Sequence, residues 1–412
     1  MHNQEAVITG LGIVAANGIG KNNFFSALEK GKSAVSEISS FDAKKFPVRI
    51  AAEVKNFDPK KFLQLKTLRN LDRGTLFLLS AAAMALKEAG IKISPENTND
   101  IGVATATTFT HLWSIVEFDR EVFKEGIDFA NPALFPSTVI NAASSQVSIA
   151  FGIRGFNATV SSGYTSGMEA LRYALIALET AKAKQVLCGA VDALTASLFF
   201  AFHKLGYMAG LKGEALSCPF DKRRNGPVLG EAAAVFCLEK ESEAHARKAK
   251  IFARIKSVAS FFDASKMGRI APTGEGLEKA ITAALDKSGV SPEKIDYVSS
   301  CANSSQGFDR SEARVLRRIF GLRLNKLPVS SIKSMLGETF SASSALQVAS
   351  CIGAMERGVI PPTINYKTKD PECDLDCVPN KARKKEIKLA LVTSFGPGGY
   401  NSACILEKYK FN

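Results

Sequence analysis

Residues 158–167 read Ala158-Thr159-Val160-Ser161-Ser162-Gly163-Tyr164-Thr165-Ser166-Gly167. The first five alternate small and β-branched residues and predict a strand. Gly163 breaks it. Thr165, Ser166 and Gly167 then open a helix with small residues. A strand, a sharp turn and a helix start hold one side chain exposed at a helix N-terminus, where the dipole favours an anion and lowers a thiol pKa. The residue held there is Tyr164. A phenol has an ordinary pKa near ~10 and is a poor acyl-transfer nucleophile. It is also much larger than Cys or Ser, so Tyr164 reads as a filler of space.

Strands and helices alternate outward from this turn. Ala6 to Gly10 predicts a strand into a glycine-rich turn, Asn22 to Lys30 a helix, and Thr75 to Ala89 a long apolar helix stopped by Gly90. Ile101 to Ala104 predicts a strand, Thr165 to Ala181 a helix, and Gln185 to Val191 a strand. Such alternation predicts an α/β fold with mainly parallel sheets. Residues 234–240 read AVFCLEK and residues 402–408 read SACILEK, each after a glycine-rich turn. The echo predicts two halves of one plan, residues 1–250 and 251–412.

Composition bounds the function. At roughly 150 residues per domain, 412 residues make two or three domain-sized units. No run of 18 uncharged apolar residues occurs, so no membrane-spanning helix is expected. The start, MHNQEAVITG, lacks a basic region followed by an apolar run and does not read as a secretory signal. The expected location is the cytoplasm. Lys and Arg number 53 against 40 Asp and Glu, a balance of +13. That excess fits solubility or an acidic protein partner. The basic groups at Lys222 to Arg224 and Lys381 to Lys388 lack interleaved aromatics, which argues against nucleic acid. Eight cysteines occur, without a CxxC pair, and most lie in apolar runs. They read as reduced, buried small hydrophobes, and no metal site is expected. Only four histidines are present.

Almost the whole chain resembles the β-ketoacyl synthases of fatty acid and polyketide assembly. The motifs that carry the resemblance are VITGLGIVAANG at residues 7–18, Phe135-Pro136-Ser137-Thr138, and Gly152-Ile153-Arg154-Gly155. Further along lie Pro219-Phe220-Asp221 with Gly226 and Leu229-Gly230-Glu231, Lys333-Ser334-Met335 with Gly337, Pro361 to Asn365, Cys373 to Asp376, and Phe395 to Asn401. The resemblance implies the thiolase fold, two duplicated halves in five αβαβα layers. It also implies decarboxylative condensation by one Cys, two His and one Lys, the Cys carrying the acyl chain and the His pair stabilising enolate and oxyanion.

Matched residue by residue, the family's Cys position is Tyr164, its first His is Cys301, its second His is Glu338, and its gating Phe is Pro397; Lys333 alone is kept. With these four-residue roles so altered, the expectation is a chain with no catalytic residue that is no enzyme on its own. It would resemble the chain-length factor of type II polyketide synthases, pairing with a catalytic ketosynthase and shaping a polyketide or polyene tunnel at the subunit interface. Lys333 and Glu338 are expected to form an ion pair. The tunnel and interface residues would be Phe109, Trp113, Leu134, Phe135 and Thr159, with Phe109 and Trp113 on one helical face. The partners would be that ketosynthase and an acyl carrier protein that brings its own phosphopantetheine, with no cofactor resident here. Lys60, Lys61, Lys66 and Arg69 resemble the carrier-binding region. Two other readings stand beside this one: a divergent synthase or acyltransferase using Cys301 or Glu338, and a homodimeric acyl-binding scaffold.

Overall fold

The computed structural model describes residues 5–64, 71–264 and 268–409. Eleven strands build the main sheet among the described residues, ten on its main path and the short Gly18–Ile19 paired to the first of them. Those on the path are β1 (Ala6–Ala15), β2 (Ile101–Ala106), β3 (Asn157–Val160), β4 (Gln185–Asp192), β5 (Ala232–Lys240), β6 (Ala253–Phe262), β7 (Tyr297–Ser299), β8 (Val329–Ser330), β9 (Leu389–Phe395) and β10 (Tyr400–Lys408). Their spatial order is β8-β7-β9-β10-β6-β1-β5-β4-β2-β3. The two ends repeat one pattern. In each half an inner strand pairs antiparallel with its neighbour, which pairs antiparallel with the next, and two parallel pairings finish the edge. Within the sheet, the halves are joined through Ala6 to Ile8 of β1 against Ala253 to Ile255 of β6. The two echoed segments fall in β5 and β10, equivalent places in the two halves.

The sheet is mixed, not mainly parallel. Strands β9 and β10 are joined by the tight turn at 396–399, which forces an antiparallel pair. Two apolar strands of this kind carry no helical crossover between them, so helix alternation elsewhere concealed the antiparallel centre.

Nine of the eleven α-helices among the described residues are longer than two turns: α1 (Lys21–Glu29), α2 (Arg73–Ala89), α3 (Leu112–Glu125), α4 (Ala142–Phe151), α5 (Ser166–Glu179), α6 (Ala196–Leu205), α7 (Glu275–Ser288), α8 (Gln306–Phe320) and α9 (Ser341–Arg357). Helices α5 and α9 form the central layer, packed together and touching strands of both halves. Residues Ser341 to Met355 of α9 are all buried, which is why its sequence is small and weakly polar all round. Helix α2 covers β1 and β5 on one outer face, and α7 covers β6 and β10 on the other. This is the five-layered αβαβα arrangement of the thiolase fold.

Local chemistry sets the element ends. The Asp72 carboxylate accepts from Thr75 N at 2.9 Å and caps α2, so the helix starts at Arg73, two residues before the expected point. Gly10 and Gly12 of β1 let α2 lie flush on the strand. A Cβ at Gly12 would stand 1.9 Å from the Ala81 carbonyl oxygen. The Glu231 carboxylate accepts from Val54 N at 2.8 Å and Leu194 N at 3.1 Å, and pairs with Arg73 at 2.6 Å. The LGE motif therefore ties three segments together beneath the site.

Candidate functional site

The turn after β3 is a short 3-10 turn, Gly163–Thr165, leading directly into α5. Gly163 takes φ +62°, a left-handed conformation that glycine adopts without strain. Ser166 Oγ accepts from Ser162 N at 2.8 Å and donates to Gly163 O at 2.6 Å, pinning the turn from inside. Tyr164 at the turn is buried. Its ring centroid lies 5.8 Å from Phe340 and 6.4 Å from Phe308. Phe340 in turn meets Phe202 at 5.2 Å and Phe109 at 5.1 Å, and Phe308 stacks on Phe395 at 4.0 Å. The elbow is thus roofed by a continuous aromatic cluster. Burial, reinforced by the Glu338 charge, pushes the Tyr164 phenol well above its ordinary value.

Lys333 and Glu338 form the ion pair expected from the sequence, Nζ to Oε2 at 2.7 Å, with the two side chains 4% and 0% exposed. The same carboxylate accepts from Asn303 Nδ2 at 3.0 Å, Ser343 Oγ at 2.7 Å and Phe340 N at 3.1 Å. Four donors saturate it, which is what a buried anion requires. The Lys333 ammonium also sits 5.7 Å above the Tyr164 ring, a cation–π contact. Asn303 and Ser343 were not singled out from sequence, because each is a common polar residue whose role appears only once the 301–305 and 338–343 loops face each other.

Cys301 is buried two residues past the end of β7. Its N–H donates to Glu312 Oε1 and to Thr393 Oγ1, both at 3.2 Å. Burial, with the Glu312 charge adding, pushes its thiol well above the ordinary range, the opposite of what a thiolate nucleophile needs. All eight cysteines are free and buried. No group of three or more His, Cys, Asp or Glu among the described residues is arranged to hold a metal ion.

A cavity of about 510 Å³ opens above the elbow. Tyr164, Phe308, Asn303, Asn225 and Gln306 line it, with exposed Pro397.

The remaining expected residues divide. Phe109 lies in the turn before α3 rather than on it, and packs between Phe202 and Phe340 beside the elbow. The shared helical face with Trp113 does not form. Asp192 is the physical reason: its Oδ1 accepts from Thr108 N at 3.1 Å and Phe109 N at 2.7 Å, holding the segment as a turn. Trp113 begins α3 and is 44% exposed. Leu134 is half-buried, and Phe135 is exposed with its ring 5.8 Å from Phe118. Thr159 lies in β3, whose outer edge pairs with no other described strand. Elsewhere, Phe123, Ile127, Phe129 and Ile149 are each more than two-thirds exposed. Sequence reading missed these exposed apolar residues, because they come from three segments with no shared periodicity. Lys66 and Arg69 lie outside the described residues; Lys60 and Lys61 are exposed on the turn Pro59–Lys61.

Two family descriptions match the chain: "Beta-ketoacyl synthase, N-terminal domain" over residues 3–244 and "Beta-ketoacyl synthase, C-terminal domain" over residues 252–367. The chain belongs to the β-ketoacyl synthase family. It is 34% identical to the 3-oxoacyl-[acyl-carrier-protein] synthase 2 of Coxiella burnetii, covering 99% of both chains. It is 36% identical to the tetracenomycin polyketide synthase ketoacyl synthase alpha subunit of Streptomyces glaucescens, over 99% of this chain and 98% of that one. Among solved structures it is similar to the ishigamide ketosynthase/chain length factor, with TM-score 0.92 and 28% identity over 98% of this chain and 99% of that one. A second, with TM-score 0.90 and 28% identity over 98% and 99%, is a type II polyketide acyl carrier protein in complex with its ketosynthase bound to the hexaketide.

These findings correct one expectation. The expectation of a chain that is no enzyme on its own does not hold: the β-ketoacyl synthases it matches from end to end are named as synthases. Its place is within a family of condensing enzymes. The elbow residue still carries an expected outcome. Tyr164 should take up no acyl group when the chain is incubated with acyl-carrier-protein thioesters, since its phenol is buried and held protonated. Intact-mass and peptide mass spectrometry read this directly, and an acyl adduct mapped to Tyr164 would contradict it.

Proposed function

We propose that this chain is the chain-length-factor-type subunit of a type II β-ketoacyl synthase that builds polyketide or polyene chains. It pairs with a ketosynthase subunit, receives chains carried on an acyl carrier protein, and shapes the space into which the product grows. The observation that carries this reading is the aromatic wall of Phe109, Phe202, Phe340 and Tyr164, standing between the elbow and the β2-α3 turn. A wall of rings is a ruler: it excludes a methylene by steric overlap, and a packed apolar pocket discriminates one methylene by ~1–3 kcal/mol. The similarity to a ketosynthase/chain length factor and to a ketosynthase with its carrier protein supports the same reading.

The experiment is product profiling by mass spectrometry of the complex reconstituted with a ketosynthase and a carrier protein. Phe109→Ala should shift the distribution to longer chains, by about one extender unit, without stopping condensation. Trp113→Ala, at the exposed start of α3, should do so only if its ring lies against the product in the pair. An unchanged distribution for both variants in an intact complex would place the ruler elsewhere.

A further inference from the structure

We propose that the lysine-rich face built from residues 292–296, 322–328 and 376–388 is a docking surface for an anionic lipid bilayer. It takes in the basic run from Lys381 to Lys388, which the site does not use, and it stands independently of the function proposed above. Three parallel strands bring the segments together. Strand β7 pairs with β8 through Val298 and Val329, and with β9 through Tyr297 and Ala390. The residues just before each strand therefore gather at one end of the sheet, and they include Lys294, Lys326 and Lys388. Hydrogen bonds tie the segments: Arg323 donates to Pro292 O at 3.0 Å and to Ile295 O, and Lys388 N donates to Asp296 Oδ2 at 2.8 Å. Burial holds the Lys385 ammonium below its ordinary pKa, and the nearby charges of Arg323 and Arg383 push it down against the pull of Asp296.

The local acids do not neutralise this face. Over the three segments, eight Lys and Arg stand against four Asp and Glu. Two of those acids are already engaged. Asp376 pairs with Arg383, and the Asp296 carboxylate accepts from Lys388 N at 2.8 Å and Leu389 N at 3.0 Å. Lys294, Lys326, Lys381, Lys384 and Lys388 are exposed, and none of them makes an ion pair among the described residues. Clusters of four to eight such cations are what the phosphate layer of an anionic leaflet attracts, within about a Debye length of its surface.

The kind of cation selects a bilayer. Six of the eight are lysines, compact hydrated charges without the planar fork that fixes a partner's carboxylates in place. Such charges suit mobile headgroups. No aromatic residue occurs in the three segments, so nucleic-acid bases would find nothing there to stack on. Leu322 is 85% exposed on the turn Gly321–Asn325, beside Arg323, and gives the face an apolar tip for the headgroup layer. The position fits as well. The cavity is lined by Asn303 and Pro397, which follow the other ends of β7 and β9. The seven residues of β9 alone span about 23 Å. Strand β3 lies at the opposite edge of the sheet from β8. A chain resting on lipid by this face keeps both its cavity and its free sheet edge clear of the bilayer.

The test is sedimentation of the full chain with sucrose-loaded vesicles, either phosphatidylcholine alone or three parts phosphatidylcholine to one part phosphatidylglycerol. The parent should sediment with the anionic vesicles at low salt, leave them at high salt, and ignore the neutral ones. Lys326→Glu/Lys388→Glu should weaken partitioning by about tenfold or more. Both side chains are exposed and unpaired, so the fold is not put at risk. Lys326→Arg/Lys388→Arg keeps the charge and should bind within about twofold of the parent. Leu322→Ser should weaken binding by about threefold. Lys60→Glu/Lys61→Glu makes the same change in net charge at a different place and should bind as the parent does. An equal loss in that control would show that net charge acts rather than this face, and would overturn the proposal. So would a parent that stays in solution with anionic vesicles at low salt, or that binds heparin or duplex DNA but no vesicle. The function proposed above stands in either event.

Discussion

Thr159→Pro should abolish co-purification with a ketosynthase subunit while leaving this chain folded. Strand β3 pairs in parallel with β2, and Val103 N donates to Phe156 O at 2.8 Å while Thr107 N donates to Val160 O at 3.2 Å. Alternation along a strand then turns the backbone groups of Asn157 and Thr159 to the free edge. A proline at residue 159 removes an outward donor and no bond to β2, the arrangement an edge strand tolerates. Edge pairing across a subunit boundary would lose a ladder bond and meet the proline ring. The exposed rings of Phe123, Phe129 and Phe135 are apolar area that a stable pair could bury. Affinity pull-down from co-expressing cells reads the result. Equal yield of the pair with Thr159→Pro would mean that the subunits meet elsewhere.

The second large effect belongs to the buried ion pair. Glu338→Ala should destabilise the chain by about 3–5 kcal/mol, because it leaves the Lys333 ammonium buried without its hydrogen-bonded carboxylate. Asn303 Nδ2, Ser343 Oγ and Phe340 N lose an acceptor at the same time. Lys333→Met/Glu338→Leu should recover much of the loss, since removing both charges removes the desolvation cost with the attraction. Denaturant unfolding of the three proteins decides it. A single variant as stable as the parent would show the pair to be hydrated rather than buried.

Much of this fold was legible in residues 158–167, because a strand, a left-handed glycine and a small-residue helix start are local and each has its own chemistry. The echo of AVFCLEK and SACILEK was legible too, and β5 and β10 occupy matching places. The antiparallel centre was not, since strand direction depends on which strands become neighbours and periodicity carries no such information. At the site, the Lys333–Glu338 pair could be read because the two residues are five apart on one motif. Asn303 and Ser343 could not, since they reach Glu338 across loops separated in the chain. Phe109 was misplaced onto a helix because residues 109–118 are apolar at helical spacing, while buried Asp192, far along the chain, holds 108–109 as a turn. The expectation of no enzyme overreached for another reason: it rested on four substituted positions, whereas the chain matches proteins named as synthases from end to end.

The central claim is that this chain works as one half of a ketosynthase pair. Native mass spectrometry of the chain co-expressed with an intact type II ketosynthase tests it most directly. The expected result is a one-to-one complex that forms with the parent sequence and is lost with Thr159→Pro. A chain that remains a monomer or pairs only with itself in the presence of that ketosynthase would contradict the account.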